Sequence, residues 1–526
     1  MQHIKVEIEK YEVSGNMILK DINFIINKTD RIALVGANGV GKTTLVKIII
    51  GENKDFFGQI TNIGSLKIGY LSQINVDNPE KKVKTELKEA FPEIIKTEQE
   101  IDELEKKIKN GSNDEITLNQ YSEKIDYFTQ IGGYTYDGLI HEVATGLGIF
   151  ELLDSRITEV SGGQRTKIAL AKVLLHKPDF LVLDEPTNFI DLESVEWLEE
   201  YLNSDWKNGF IIISHDREFL NQTCPKTYEL LGNHDFNFYN CNYSQFIAEK
   251  KKKFENQEKK FEEQQLFIEK EKELINRFRA GSRAGWSQSR EKALGRLDLV
   301  SAPFIQQKPK FIFNELKETP DKIFWFKNCF IGRKEPLFYI SDVSFHKGQK
   351  IGIVGPNGCG KSTFLKTILG NIELLDGMIQ RGKGVQYVYY SQLHEELDLE
   401  KNIIDNFAKF GFDHRKEYLA GYLGKYLFKY EDIDKKVKNL SGGERTRLMF
   451  AILGMQESNL LILDEPTNHL DYEAKEALEE ALKNYKKSVL FISHDRYFVN
   501  SVATHLWIIE NEELRVSYGN YSDYKF

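Results

Sequence analysis

Gly36-Ala37-Asn38-Gly39-Val40-Gly41-Lys42-Thr43 returns 319 residues later as Gly355-Pro356-Asn357-Gly358-Cys359-Gly360-Lys361-Ser362. Gln73 and Gln392 keep the offset of 319, whereas Ser161-Gly162-Gly163-Gln164 and Ser441-Gly442-Gly443-Glu444 lie 280 apart, as do Asp184-Glu185 and Asp464-Glu465. His215 and His494 follow at 279. The chain is therefore two copies of one unit, and the first copy carries 39 more residues between Gln73 and Ser161. Such a repeat fixes the architecture before any residue is weighed singly.

A chain of 526 residues divides into at least two compact domains, each able to bury its own core. The net charge of −9 gives no global signature of a nucleic-acid binder, so any such role must lie in a local basic patch, and no DNA partner is expected. Cys224, Cys241, Cys329 and Cys359 are widely spread without a CxxC spacing. That argues against a disulfide framework, a zinc site or an iron–sulfur cluster and suits a reducing cytoplasm. Met1-Gln2-His3-Ile4-Lys5 opens no apolar leader, and no run approaches the ~18 apolar residues of a membrane span. The expectation is a soluble, cytoplasmic protein.

Ile32-Ala33-Leu34-Val35 feeds the first glycine loop and Thr44–Ile50 reads as helix; Ile351-Gly352-Ile353-Val354 opens the same strand–loop–helix unit again. Phe180–Leu183 and Leu460–Leu463 read as buried strands ending in acidic pairs, and Phe210–Ile213 and Val489–Ile492 as strands leading to Ser-His-Asp-Arg. Continuous apolar strands alternating with helices predict an α/β fold with a parallel sheet covered on both faces.

The surplus of the first copy lies around Pro79–Thr129. Ile101, Leu104 and Ile108, then Leu118, Tyr121, Ile125 and Phe128, have helical spacing about an Asn110–Asn113 turn, which predicts a projecting helical hairpin. Residues 80–128 hold 13 acidic and 9 basic side chains, which suits a protein contact or a solvated insertion better than phosphate. Between the copies, Ile247, Phe254, Phe261, Ile268 and Ile275 recur every seven residues. Glu249–Asn276 predicts a helix of roughly 40 Å, and Gln288–Val300 a second one running back. Residues 249–273 balance eight lysines against eight glutamates, but 274–310 hold eight basic and two acidic residues. Arg277, Arg279, Arg283 and Arg290 near Trp286 suit RNA, guanidinium groups pairing with phosphate and flat groups stacking on bases. The division expected is a first domain over 1–240 with an arm at about 80–128, a linker over 241–315 and a second domain over 316–526.

GxxxxGK[ST] brings backbone N–H groups against phosphate oxygens at a helix N-terminus, with a lysine as point charge and a hydroxyl on Mg²⁺. This assigns Gly36, Asn38, Gly39, Gly41, Lys42, Thr43 and Thr44, and Gly355, Asn357, Gly358, Gly360, Lys361, Ser362 and Thr363, to nucleotide phosphates. Asp184 and Asp464 then sit beside Mg²⁺, while Glu185 and Glu465 polarise the attacking water.

These loops, with Gln73 and Gln392, Ser161-Gly162-Gly163-Gln164 and Ser441-Gly442-Gly443-Glu444, and His215 and His494, resemble ATP-binding cassettes. Twin cassettes on one chain, Asp-Glu-Pro-Thr-Asn-His-Leu-Asp at 464–471, Ser-His-Asp-Arg at 493–496 and a charged helical linker resemble the ABC-F subfamily over nearly the whole chain. The resemblance implies two P-loop cassette domains paired head to tail within a monomer that takes two ATP and Mg²⁺. It joins Lys42, Thr43, Gln73, Asp184, Glu185 and His215 to Ser441 and Gly443, and Lys361, Ser362, Gln392, Asp464, Glu465 and His494 to Ser161 and Gly163. Gln73 and Gln392 join the Mg²⁺ sets, and Tyr11 and Phe330 match the position that stacks adenine. It further implies a ribosomal partner: the tRNA exit site and its rRNA, with the linker tip towards the peptidyl-transferase region or the end of a bound tRNA. The short tip favours a translation factor over antibiotic protection. A twin ATPase subunit of a membrane importer is the alternative, although it has no need of a basic hairpin. Phe189 stands where the second copy has His469 and Gln164 where it has Glu444, so both sites are expected to hydrolyse ATP, unequally. Cys359 inside the second loop is expected to be a thiol of lowered pKa, the alternative being an inert loop filler.

Overall fold

The computed structural model describes all residues except 1, 14, 72–79, 111–113, 189, 233, 279–283, 303–306, 392–395, 413–414 and 526, and all their side chains except those of 278, 284–287 and 525. Gln73, Gln392, Phe189, Arg279, Arg283 and the side chain of Trp286 thus lie outside the described residues.

In the first half, Arg31–Val35 lies at the centre of a six-stranded sheet, between Gly209–Ile213 and Lys226–Leu230. Phe180–Asp184 and Ile68–Leu71 extend one side in parallel, and Phe236–Tyr239 closes the other antiparallel. Phe180, Leu181, Val182 and Leu183 are fully buried, as strands covered on both faces must be. A separate antiparallel sheet of Asn16–Asn27, His3–Val13 and Phe57–Ile63 packs on the helix Lys42–Ile49 through Ile4, Val6, Ile8 and Leu45. The second half repeats this with Lys350–Val354 between Ser488–Ile492 and His505–Glu510. There the antiparallel strands Asp376–Arg381, Lys322–Gly332 and Pro336–His346 join the parallel ones through Tyr339 beside Glu513, which makes one sheet of nine strands.

The surplus of the first half is the helical pair Pro92–Lys109 and Glu115–Gln130, the first started by proline and the second capped by Asp114, whose carboxylate accepts from Thr117 N at 2.8 Å. Ile101 and Phe128 are buried between the helices and the domain, and the Tyr121 hydroxyl donates to Glu105 at 3.0 Å. The linker begins with the helix Tyr243–Phe278, six residues earlier than the heptad pattern predicts, and returns through Ala284–Leu294, which starts and stops before the predicted Gln288–Val300. Ile268 and Ile275 of the seam are buried, and Gln264 clasps the returning segment by donating to Asp298 O at 2.8 Å and accepting from Val300 N at 2.7 Å.

The return leg docks on the second half, where Phe311 is buried against Tyr426 and Phe450. Gly454 lets it pass: a methyl there would sit 2.1 Å from Ile312 O and 3.0 Å from the Tyr426 hydroxyl. Gly454→Ala is therefore expected to cost about 1–3 kcal/mol and to lower the melting temperature in calorimetry. An unshifted transition would show that this leg does not bear on the second half.

Candidate active site

Each glycine loop connects a central strand to a helix, Lys42–Ile49 or Lys361–Ile368, whose first amide groups face the loop. Gly36, Gly39 and Gly41, like Gly355, Gly358 and Gly360, hold positive φ between 81° and 155°, and only glycine enters those conformations without strain. Beside Gly39 and Gly358 a Cβ would meet nothing within 4 Å, which leaves open space against the backbone. Lys42 Nζ donates to Gly36 O and Ala37 O at 2.7 and 2.9 Å, and Lys361 Nζ to Gly355 O and Pro356 O at 2.7 and 2.8 Å. Both ammonium groups are thus held over the loop. Thr43 Oγ1 donates to Asp184 at 2.7 Å and Ser362 Oγ to Asp464 at 3.4 Å, a hydroxyl and a carboxylate side by side. That oxygen donor set fits Mg²⁺.

Glu185 and Glu465 follow these carboxylates in a left-handed conformation, φ 52° at both, pinned by N–H bonds to Ile213 O at 2.8 Å and Ile492 O at 3.0 Å. Non-glycine residues adopt that region at a cost, and it turns the second carboxylate out of the strand's alternation towards the switch histidine. His215 Nε2 lies 3.4 Å from Glu185 and His494 Nε2 3.4 Å from Glu465. Burial pushes the Glu185 carboxyl up to about 7, against Lys42, and the Glu465 carboxyl up to about 8, with Asp464 adding to the rise. Burial likewise raises Asp464 to about 6 and lowers His494 to about 3 and His215 well below its ordinary value. The downward shift favours the neutral imidazole at both positions, a form that can accept from one partner and donate to another.

The halves meet at both loops, and at the first the facing half lines the cleft. Asn38, Gly39, Gly41, Lys42, Thr43 and Thr44 face Ser441, Gly442, Gly443 and Glu444 across a cleft of about 1140 Å³. Asn38 N donates to Asp471 at 3.4 Å, its amide nitrogen to His469 O at 3.0 Å, and its amide oxygen lies 3.0 Å from His215 Nε2. At the second loop Asn357 N donates to Asp191 at 3.3 Å, the counterpart of Asp471. Ser161 and Ser441 cap the helices Gly162–Leu175 and Gly442–Met455. Gln164 and Glu444 each accept from the backbone of that capping serine, at 2.8 and 2.7 Å. An amide and a carboxylate serve this capping box equally, which accounts for the exchange between the copies.

Arg217 and Arg496, two residues after each histidine, reach across the junction. Arg217 lies 3.2 Å from Glu479 and between the rings of Tyr472 and Tyr497, at 4.5 and 4.4 Å from their centroids. Arg496 pairs with Glu199, one contact at 3.1 Å, and lies 3.9 Å from Glu196. All four partners are nearly inaccessible, with side chains 6–12% exposed for the two principal pairs.

Four expectations need correction. Tyr11 does not line the first cleft: its hydroxyl accepts from Asn53 at 2.8 Å, and Val13 and Ile18 line the cleft where an aromatic was expected. The register shift between Tyr11 and Glu12 turns the strand at that point. Phe330 lies on the open strand face against Tyr339, ring centroids 4.9 Å apart, in a hollow with Asp376 and Met378 and away from the second loop. Cys359 is pushed up by burial, which outweighs Lys361, and packs inside the loop. Arg290 donates to both oxygens of Glu271 at 2.6 and 2.8 Å and fastens the linker hairpin, whereas Arg277 is exposed. The sequence assigns no role to Asp191, Asp471, Lys475 or Gln307, the last three of which line the first cleft, although Asp191 and Asp471 share the offset of 280 and each caps a helix.

Two glycine loops with helix-borne amides, two strained glutamates and, at the first loop, a serine offered from the facing half define a tandem ATP-binding cassette protein. The ABC transporter family model matches residues 19–188 and 340–468, and a second model described as ABC transporter matches 231–313. The chain is 36% identical to the uncharacterized ABC transporter ATP-binding protein YfmM of Bacillus subtilis (strain 168), over 98% of this chain and 100% of that protein. It is 35% identical to ABC transporter F family member 5 of Arabidopsis thaliana, over 99% of this chain and 77% of that protein. It is 33% identical to the energy-dependent translational throttle protein EttA of Escherichia coli (strain K12), over 97% of this chain and 92% of that protein. The fold is shared with a solved complex of archaeal ribosomal stalk protein aP1 and ribosome recycling factor aABCE1, with a TM-score of 0.64, 19% identity, and 97% and 89% of the two chains covered. The chain belongs to the ABC transporter family, in its F branch, and is an ATPase. Among the described residues no helix is long and apolar enough to cross a membrane.

Arg217→Met and Arg496→Met each strand a buried carboxylate of the opposite half, so each is expected to cost about 3–5 kcal/mol of the paired arrangement. A fluorescence-transfer pair with one dye on each half reads this as a smaller closed fraction at saturating ATP. An unchanged fraction in both variants would remove these pairs from the account of closure.

Proposed function

We propose that this chain is a ribosome-binding ATPase whose two cassettes, 1–240 and 316–526, close on two ATP and set the position of the linker 241–315. The amides of each glycine loop and Lys42 or Lys361 hold the phosphates. Ser441 and Gly443 complete the first site from the other half, as Ser161 and Gly163 complete the second. Glu185 and Glu465 polarise the attacking water, and neutral His215 and His494 orient it against the terminal phosphate. Thr43 with Asp184, and Ser362 with Asp464, would hold Mg²⁺, which supplies neutralisation of phosphate charge when bound. Gln73 and Gln392 belong to the same proposal.

One observation carries the ribosomal reading. The 36-residue helix Tyr243–Phe278 starts at the junction of the halves and ends in exposed Arg277, beside a basic stretch in an acidic chain. A rigid stalk ending in cations suits the phosphates and unstacked bases of folded RNA. The name of EttA, translational throttle, and the ribosome recycling factor whose fold is shared support the same partner. The proposed place is the tRNA exit site, the tip reaching towards the peptidyl-transferase region and the arm Pro92–Gln130 contacting the flank, in a cytoplasmic monomer. Translation control is favoured over drug protection.

Glu185→Gln with Glu465→Gln should hold the closed state, and the variant should pellet with ribosomes through sucrose in ATP but not in ADP. Absent or ATP-independent pelleting would overturn the ribosomal reading. Arg277→Gln with Arg279→Gln and Arg283→Gln is expected to lower stimulation of ATPase by ribosomes about fivefold or more, as loss of several phosphate contacts should. Undiminished stimulation would take the tip out of the interface.

A further inference from the structure

The junction of the halves is nearly twofold, and one lysine breaks the match. Lys475, in the helix Tyr472–Asn484 of the second half, is buried. Its ammonium donates to His215 O of the first half at 3.0 Å and to Asp495 of its own half at 2.7 Å. It therefore spans the two Ser-His-Asp-Arg segments, holding the backbone of the first switch histidine and the carboxylate next to the second. The position 280 residues earlier is Val195, buried in the first core, which offers no ammonium to His494. Nor does the nearest lysine of the mirror arrangement take its place. Lys167 pairs with Asp191 at 2.9 Å and with Ser194 at 3.0 Å, and its counterpart Arg447 turns to Tyr426 O at 3.1 Å.

We propose that Lys475 is a positioning residue supplied in trans to the first ATP site, one the second site does not have. The inference rests on the reading of Glu185 and Glu465 as the two sites' water-polarising residues. His215 Nε2 touches both Glu185 and Asn38, so its ring is useful only while its backbone stays in place. An ammonium bonded to its carbonyl fixes that backbone when the halves meet, and releases it when the second half withdraws. The first site becomes competent through the second half's lysine as well as its serine. Among the described residues, the second switch segment is held across the junction through Arg496, by Glu199 and Glu196. A bond of the Lys475 kind acts on orientation for the chemical step, so it alters kcat more than ATP affinity.

The test separates the sites. In a Glu465→Gln chain, where the first site works alone, Lys475→Met is expected to lower kcat about tenfold with KM for ATP within about twofold. In a Glu185→Gln chain the fall in kcat should be about twofold or less. Lys475→Met strands the buried Asp495, so Lys475→Met with Asp495→Asn is run beside it. The amide oxygen of the Asp495→Asn variant still offers an acceptor to Phe498 N, which now donates to the Asp495 carboxylate at 3.0 Å. The neutral pair should show the same deficit confined to the first site. Equal falls in both backgrounds, a fall confined to the second site, or no fall at all would overturn the inference. Turnover that survives Glu185→Gln with Glu465→Gln would instead overturn the site reading on which it rests.

Discussion

A charge taken out of water costs several kcal/mol unless an opposite charge lies beside it, and each half of this chain buries an arginine whose partner is on the other half. Arg217 needs Glu479 and Arg496 needs Glu199. Neither half offers its arginine that partner alone, so the paired arrangement is the one that sets each arginine beside an opposite charge. Both arginines follow a switch histidine by two residues and open the helices Arg217–Thr223 and Arg496–Val502. The contact that joins the halves is therefore built into the segment that carries His215 or His494. On the proposed function, closure and readiness for chemistry are one event.

The two junctions satisfy that constraint differently. Arg217 lies between two tyrosine rings, where its flat cation gains from both faces, while Arg496 has carboxylates about it. Tyr472 of that aromatic pair corresponds to Leu192 in the other half, and Tyr497 to Glu218. The repeat has kept the cations and changed what surrounds them. The backbone strain at Glu185 and Glu465 has not diverged, with φ 52° at both. Geometry next to the phosphate is more tightly constrained than the means of holding the halves together.

Much of this is legible in the sequence because the repeat offset compares like with like. Buried strands show as apolar runs, the loop lysines follow from spacing, and the arm shows as surplus. The differences have physical causes. The family resemblance places Tyr11 at the cleft, but a register shift of one residue in a strand changes which side chain faces it. Nearby positive charge suggests an acidic thiol at Cys359, whereas burial within the loop dominates. Arg290 sorts with the cations of the tip in sequence because its partner Glu271 is 19 residues away on the other leg of the hairpin. Lys475 is invisible for a related reason: its two partners lie 260 and 20 residues away, and no local pattern marks a residue whose role exists only across a junction.

The helix Tyr472–Asn484 gathers these threads. It begins with Asp471 on Asn38 N, carries Lys475 to His215 O and Glu479 to Arg217, and touches both ends of the linker. Tyr472 meets Tyr243 at the root of the outgoing helix, ring centroids 6.1 Å apart, and Glu476 pairs with Lys308 on the return leg. The outgoing helix is also fastened to the first half, by Lys250 to Glu229 at 2.6 Å and Phe246 against Tyr239 at 4.8 Å. One element of the second half thus contacts the first ATP site and both feet of the stalk, while the stalk's base is fixed to the first half. Any rotation of the halves must change the angle between these attachments. A helix of 36 residues, about 54 Å long, turns a small change of angle at its root into a displacement several times larger at its basic end. The seam residues Ile268 and Ile275 and the Gln264 clasp keep the hairpin from absorbing that motion by bending. On the proposed function, the linker's length and stiffness suit that task, and a flexible connection would lose it.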